Sequence, residues 1–218
     1  YEDLGLLTAD EAIGEDVAHL FNNLSGFSRN ASYGQLLVAP DSVRAGLIEQ
    51  IHGEIANKEA GLPARIRIKA NSIVDEEIID ALYLASQAGV PVQLLVRGIC
   101  ALRPGVPGLS ETIEVRSILG RFLEHSRVFW FEAGGEPRVW IGSADMMHRN
   151  LDRRVEVLVR LPGESNVTAV GALLDRAFDE DTQAWLLGTD GAWVKNAGTS
   201  HLQEALIDRQ RRRRGPGV

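Results

Sequence analysis

The sequence predicts an α/β fold: a mixed, largely parallel sheet flanked by helices. Three observations carry this. Apolar residues switch between a period near 3.6 and a period of 2 along residues 9–96. The segments follow the order strand, helix, strand, helix, strand, which right-handed crossovers turn into a parallel sheet. A chain of 218 residues is also long enough to bury a sizeable core.

Each element has its own signal. Ile13, Val17, Leu20, Phe21 and Leu24 stand at helical spacing between Ala9 and Leu24, and Ser25-Gly26 ends that helix. Leu36 to Ala39 reads as a buried strand closed by Pro40. Asp41-Ser42 caps a helix running to about Ala60, ended by Gly61-Leu62-Pro63. Ile66 and Ile68 alternate with Arg65, Arg67 and Lys69, so the next strand has one basic face. A helix from Asp75 to Ala88 stops at Gly89, and Val92 to Val96 is an apolar strand entering Arg97-Gly98. Ligands of open α/β sheets sit beyond the carboxyl ends of strands, which singles out Lys69-Ala70-Asn71-Ser72 and Arg97-Gly98.

Residues Ala101 to Ser110, rich in Pro and Gly, form a loop that lines something. A short strand near Val115 and a helix from about Ser117 to Glu124 are expected next. Strands Val128–Phe131 and Arg138–Ile141 follow, joined by Ala133-Gly134-Gly135-Glu136. Arg153 to Leu161 alternates, with Val155, Val157 and Val159 on one face. The rest reads as a helix from Glu164 to Phe178, a Trp185…Trp193 hairpin turning on Asp190-Gly191, and a helix from Ser200 to Arg214. Residues 1–194 are expected as one domain and 195–218 as a C-terminal helix and solvated basic tail. The minority reading of that tail is contact with polyanions or an anionic membrane.

Composition narrows the function classes. No run is apolar and long enough to span a bilayer, and the N-terminus is acidic, so a soluble, cytoplasmic protein is expected, with peripheral membrane attachment left to the basic tail. One cysteine, Cys100, excludes an internal disulfide framework and a multi-cysteine zinc site. A net charge of −7 argues against nucleic acid as a partner of the whole surface. The 23 basic residues are twenty arginines and three lysines, Lys58, Lys69 and Lys195. Arginine forks match phosphate, although a genomic bias gives the same excess.

The chemistry concentrates in Gly120-Arg-Phe-Leu-Glu-His-Ser-Arg127, the aromatic strand after it, and Gly142-Ser143. An imidazole two residues before a guanidinium at the mouth of a strand, with a Gly-Ser turn after the next strand, suits phosphate handling. By spacing it resembles half of a phospholipase D-like site, His-x-Lys-x4-Asp and then Gly-Ser. Arg127 stands for the lysine, Glu132 for the aspartate and Gly142-Ser143 for the turn, with a longer gap before the turn. Such sites have two halves, each giving a histidine, and one half is present.

Several longer motifs, in order, resemble the C-terminal region of polyphosphate kinase. They are Tyr1-Glu-Asp-Leu-Gly-Leu-Leu-Thr, Asn71-Ser-Ile-Val-Asp75, Gly89-Val-Pro-Val-Gln-Leu-Leu-Val-Arg-Gly-Ile-Cys100, Arg103-Pro-Gly-Val-Pro-Gly-Leu-Ser110, Gly120 to Arg127, and Gly142-Ser-Ala-Asp-Met-Met-His-Arg-Asn-Leu-Asp-Arg-Arg-Val-Glu156. The resemblance runs from residue 1 to about Val194. It implies a phospholipase D-like domain of an enzyme that reversibly transfers the terminal phosphate of ATP to polyphosphate. The transfer passes through a phosphohistidine, with Mg²⁺, and the intact enzyme is a homo-oligomer.

The resemblance further implies that the phosphorylated histidine lies in an upstream phospholipase D-like domain. The start on Tyr1, without methionine, then reads as an excised second domain, inactive alone and lacking the phospho-acceptor. Tyr1, Arg97 and His125 match ATP-contacting residues, and His125 matches the second, catalytic histidine. Each role has a chemical reason: an aromatic ring stacks on a base, a strand-end guanidinium forks onto phosphate, and an imidazole protonates a leaving phosphate oxygen. Asn71, Arg127, Ser143, Arg149, Asn150 and Arg154 are candidate phosphate contacts, with no metal ligand expected in this chain. For Arg154 an internal ion pair with Glu156 is the equal alternative. His19 and His52 read as structural or surface residues and His148 as peripheral, while His201 lies outside the resemblance. Two other readings remain: a polyanion-binding or assembly module, and a hydrolase that pairs His125 with its mate across a dimer.

Overall fold

In the computed structural model, residues 1–27 and 32–214 are described, with the side chains of Arg213 and Arg214 left out. The Gly-Pro-Gly end of the expected tail lies outside the described residues.

The centre of the sheet is formed by two strands buried along their whole length. Strand β2 (Ile66–Ala70) and strand β5 (Arg127–Phe131) are buried at all ten positions. In β5, Phe129 and Phe131 face one layer, while Val128 and Trp130 face the other. The first layer is helix α2 (Val43–Glu59) and helix α3 (Glu76–Gln87), which contribute Val43, Leu47, Ile51, Ile78 and Leu82. The second is helix α5 (Glu164–Ala177) with helix α6 (Leu202–Arg214), through Val170, Leu173, Leu174, Leu202 and Leu206. Fully burying side chains of this size contributes about 1.5–3 kcal/mol each.

Nine strands form one mixed sheet in the order β1-β7-β6-β5-β2-β3-β4-β8-β9. The remaining strands are β1 (Leu36–Val38), β3 (Val92–Val96), β4 (Ile113–Ser117), β6 (Arg138–Gly142), β7 (Val157–Arg160), β8 (Trp185–Leu187) and β9 (Trp193–Lys195). The mixed sheet flanked by helices matches the expected fold, but its parallel share is smaller than expected. Only β2–β3 and β3–β4 are parallel, and the other six adjoining pairs are antiparallel. The physical reason is connection length. Parallel neighbours need a long crossover, which α3 supplies between β2 and β3, whereas short links make β5–β6 and β8–β9 antiparallel hairpins. Strand β1 keeps the direction of β2 yet sits at the far edge, paired with β7.

Other departures are local. The helix expected over 117–124 is irregular chain. Gly120 there lies so close to Gln203 that a Cβ would overlap its amide, and Gln203 exchanges two 2.8 Å hydrogen bonds with the backbone of Phe122. The alternation over 153–161 gives a strand only from Val157, because helix α4 (His148–Arg153) takes the preceding turn. Ser42 does not cap α2, since its hydroxyl is engaged with Val38. Helix α1 (Glu11–Leu24) is anchored to the β1 edge by Asp16, whose buried carboxylate accepts the backbone N–H groups of Gly34, Gln35 and Leu36.

Strand directions decide where chemistry can gather. The carboxyl ends of β2, β3 and β6 share one end of the sheet with the starts of β5 and β7, as the pairs Lys69↔Val128, Arg127↔Gly142 and Gly142↔Leu158 show. Asn71, Arg97, His125, Ser143 and Glu156 therefore come to that end although they span 86 positions of the chain.

Candidate phosphate-handling cleft

At this end of the sheet an open cleft of about 670 Å³ is floored by Ile141, Val157 and Val159 and walled by polar residues. Gly142 is needed in the floor because any Cβ would collide with the carbonyl of Val157 on the neighbouring strand. The chain can thus turn at Ser143, whose N–H donates to Val157 O and whose hydroxyl accepts Val157 N–H at 3.2 Å.

His125 stands at the rim, with its side chain 34% exposed. Its Nδ1 meets Asp3 Oδ2 at 2.7 Å, and the edge of the Tyr1 ring lies 4.8 Å away, centroid to centroid. Tyr1 itself is 80% exposed. Asp3 arrives because residues 1–3 run beside 123–125: Glu2 N–H donates to Leu123 O, and His125 N–H to Glu2 O. Burial works to raise the Asp3 carboxyl. The hydrogen bonds from His125 and Leu4 N–H, with the charges of His125 and Arg127, outweigh it and leave Asp3 below the usual range. A carboxylate on Nδ1 sets the ring tautomer and leaves Nε2 as the working nitrogen.

Arg127 is buried and fully engaged. It donates to Asp145 Oδ2 at 2.9 Å and to His125 O at 2.5 Å. Asp145 also accepts Asn71 N–H at 2.7 Å, and Asn71 Oδ1 takes both Nε and Nη2 of Arg97. A hydrogen-bonded chain therefore runs from Arg97 through Asn71, Asp145 and Arg127 to the backbone of His125. Arg97 lies behind Asn71, outside the cleft wall, and its Nη1 is buried without a hydrogen-bond partner among the described residues. Helix α4 brings Arg149 and Asn150 to the opposite wall. Asn150 donates to Glu156 Oε1 at 2.6 Å while its Oδ1 has no partner among the described residues. Arg154 is 55% exposed and only 3.8 Å from Glu156, so it is both a loose ion-pair partner and a cleft cation.

Glu132 does not join the site. Strand β5 carries it to the opposite end of the sheet, where it accepts the Trp130 indole N–H at 3.3 Å. A fully extended pass through the core separates it from His125, so it cannot play the aspartate of a phospholipase D-like motif. The acidic residues at the cleft are Asp3, Asp145 and Glu156. Asp3 and Asp145 went unmarked in the sequence, and their only signal was to fall inside the Tyr1 and Gly142 motifs. Each of the three is already engaged by a cation, an amide or both. Among the described residues no group of three or more His, Cys, Asp or Glu is arranged to hold a metal.

A second charged cluster fixes the N-terminal segment. Lys69 Nζ, buried on the second layer, donates to Glu2 Oε2 at 2.8 Å, Ser126 Oγ at 2.7 Å and Ser126 O, and lies 2.9 Å from Glu124 Oε2. Three donors are thereby spent, leaving Glu124 Oε2 with charge nearby but no proton donated to it. Burial pushes Glu124 up, and the Glu2 charge adds to this against the pull of Lys69 and Gln203. Burial also opposes the Glu2 charge, but Lys69 overcomes it and holds Glu2 low.

His19, His52 and His201 are exposed and do not line the His125 cleft. His148 is exposed but anchored: Nδ1 meets Asp152 Oδ2 at 3.0 Å and Nε2 meets Glu76 Oε2 at 2.6 Å, beside an Arg44–Asp75 pair. The hydrogen bonds with Asp152 and then Glu76 raise its pKa. A raised folded-state value means stability that is full below the unfolded value and lost as pH rises through the folded one. His148→Ala should therefore lower the melting temperature more at about pH 5.5 than at about pH 9, bracketing an unfolded value near 6.5. Melting curves at both pH values check this, and equal losses would deny the ion pairs any role.

The fold and the cleft define an α/β domain in which one carboxylate-held histidine faces a row of guanidiniums. The family model for polyphosphate kinase C-terminal domain 2 matches residues 36–205. The polyphosphate kinase of Streptomyces coelicolor is 60% identical over 99% of this chain, and that of Mycolicibacterium gilvum 56% over 99%. The crystal structure of polyphosphate kinase from Porphyromonas gingivalis superposes with a TM-score of 0.89 at 31% identity, covering 94% of this chain and 32% of that one. The chain belongs to the polyphosphate kinase family. It spans 30% of the length of the two curated relatives.

Proposed function

We propose that this chain is the part of a polyphosphate kinase that holds nucleotide and polyphosphate phosphates and brings a second histidine, His125, to the transfer step. The phosphorylated histidine comes from elsewhere in the longer polypeptide, and the terminal phosphate of ATP passes reversibly to the end of a polyphosphate chain. The observation that carries the reading is the Asp3–His125 pair at the rim of a cleft bearing Arg127, Arg149 and Arg154. Family membership narrows the anion to polyphosphate and ATP.

Phosphoryl transfer leaves a protein chiefly the work of positioning and charge stabilisation. Asp3 orients the ring, so that Nε2 exchanges a proton with the leaving or attacking phosphate oxygen. Arg149 and Arg154 supply charge from the wall, Ser143 and Asn150 add hydrogen bonds, and the exposed Tyr1 ring offers a platform for a base. Arg97 and Asn71 act on the cleft through Asp145, Arg97 from behind the wall by holding Asn71. Magnesium, when bound, neutralises phosphate charge, and its ligands come from the nucleotide and from outside this chain.

The isolated chain is expected not to make polyphosphate from ATP and Mg²⁺, because the nucleophilic histidine is supplied by the rest of the enzyme. Polyphosphate formation by this chain and by the full-length kinase, measured side by side, tests the reading. Turnover by the chain alone at a rate near that of the whole enzyme would overturn it.

A further inference from the structure

We propose that the arginine-bearing half of α6 is an accessory binding site for polyphosphate, continuous over the surface with the His125 cleft. The proposal rests on the reading of that cleft as a polyphosphate site. Five arginines fall within residues 209–214 of a chain whose net charge is −7. Helix α6 is not a loose appendage, because Leu202 and Leu206 pack on the body and Gln203 is tied to Phe122 and Glu124. The direction in which it carries its arginines is therefore set.

The path is continuous. Asp3 and Leu4 line the His125 cleft and also a neighbouring, mostly apolar trough of about 280 Å³, whose further lining includes Glu2, Val170, Leu173 and Leu206 and which ends at Arg209. Arg209 in turn lines a third trough, of about 510 Å³, with Arg212, Asp208 and Arg176 from the last turn of α5. Arg209 and Arg212 are three residues apart on one face of the helix. Among the described residues no carboxylate pairs with Arg176, Arg209 or Arg212, while Asp208 is drawn 3.5 Å from Arg211 instead.

Complementing the dipole of a helix C-terminus accounts for one or two basic residues, not five. Like charges at spacings of three and four repel, so the run destabilises its own helix until an anion arrives. The troughs are lined by no aromatic side chain on which bases could stack, and residues 208–214 contain no apolar side chain to enter a bilayer. A flexible inorganic polyanion with charge at every unit meets these constraints. Its distal part would lie on α6 while its end sits by His125.

The test is binding of the 218-residue chain to tripolyphosphate and to long-chain polyphosphate, with poly(U) and anionic phosphatidylserine vesicles as competing probes. The variants are Arg176→Gln/Arg209→Gln/Arg212→Gln together, the same three as lysine, and Arg149→Gln/Arg154→Gln in the cleft, each with a melting curve. The triple glutamine variant should bind long chains about tenfold or more weakly while keeping its affinity for tripolyphosphate, a loss of about 1.4 kcal/mol. The lysine variant should keep most of the long-chain affinity, and the cleft variant should lose affinity for both. Unchanged long-chain binding in the triple glutamine variant overturns the accessory site and leaves the cleft reading intact. Full tripolyphosphate binding by the cleft variant overturns the cleft reading instead. Tighter binding of poly(U) or vesicles than of polyphosphate, lost in the same triple variant, would assign the arginines to those partners and overturn the proposal.

Discussion

Replacing Lys69 by methionine is expected to destabilise the domain by about 3–5 kcal/mol at neutral pH. That is a large share of the roughly 5–15 kcal/mol that keeps a domain of this kind folded. The loss is not that of one good contact. It arises because Glu2 and Glu124 would remain buried together without the ammonium that pairs with both of them. Acid should relieve the variant, since protonation removes the uncompensated charge, so the deficit should shrink at about pH 5. Denaturant unfolding of the two proteins at the two pH values measures this. A loss below about 0.5 kcal/mol at neutral pH would mean that the cluster is solvated and structurally idle.

The same cluster joins stability to function. Glu2 is the residue by which the segment Tyr1–Asp3 is held beside residues 123–125. Loosening it would release Asp3 from His125 and withdraw Tyr1 from the rim. A surviving Lys69→Met protein would thus carry a site in which the imidazole is no longer oriented.

Much of this architecture could be read in the chain, for identifiable reasons. Asn71 and Arg97 follow from the rule that ligands gather beyond strand ends, and His125, Arg127 and Gly142-Ser143 lie in one short stretch. What escaped were pairings across the sheet. Asp3 and Asp145 are ordinary acidic residues until the strands bring one to His125 and the other to Arg127, and no local pattern reports a partner 122 or 18 positions away. Glu132 misled because spacing alone does not say that a five-residue strand will carry it through the core to the other end. Lys69 belonged to a strand end yet proved a buried anchor, since the residue facing it is set by where residues 1–3 dock. The parallel content was over-read for a related reason: periodicity marks strands but not which neighbour each one takes.

In the full-length kinase, His125→Ala is expected to lower turnover about a hundredfold or more, the usual worth of a positioned acid or base. The domain should stay folded, because a rim side chain that is one-third exposed contributes little to the core. Asp3→Asn should produce a smaller loss in the same direction, because the amide can still fix the ring but cannot support its positive charge. If His125 acted only as a ground-state phosphate contact, its removal would raise KM and spare kcat. The deciding measurement is therefore the steady-state kcat and KM for ATP of His125→Ala in the full-length kinase, with a melting curve to confirm the fold. The account predicts a collapse of kcat at nearly unchanged KM, and wild-type kcat would contradict it.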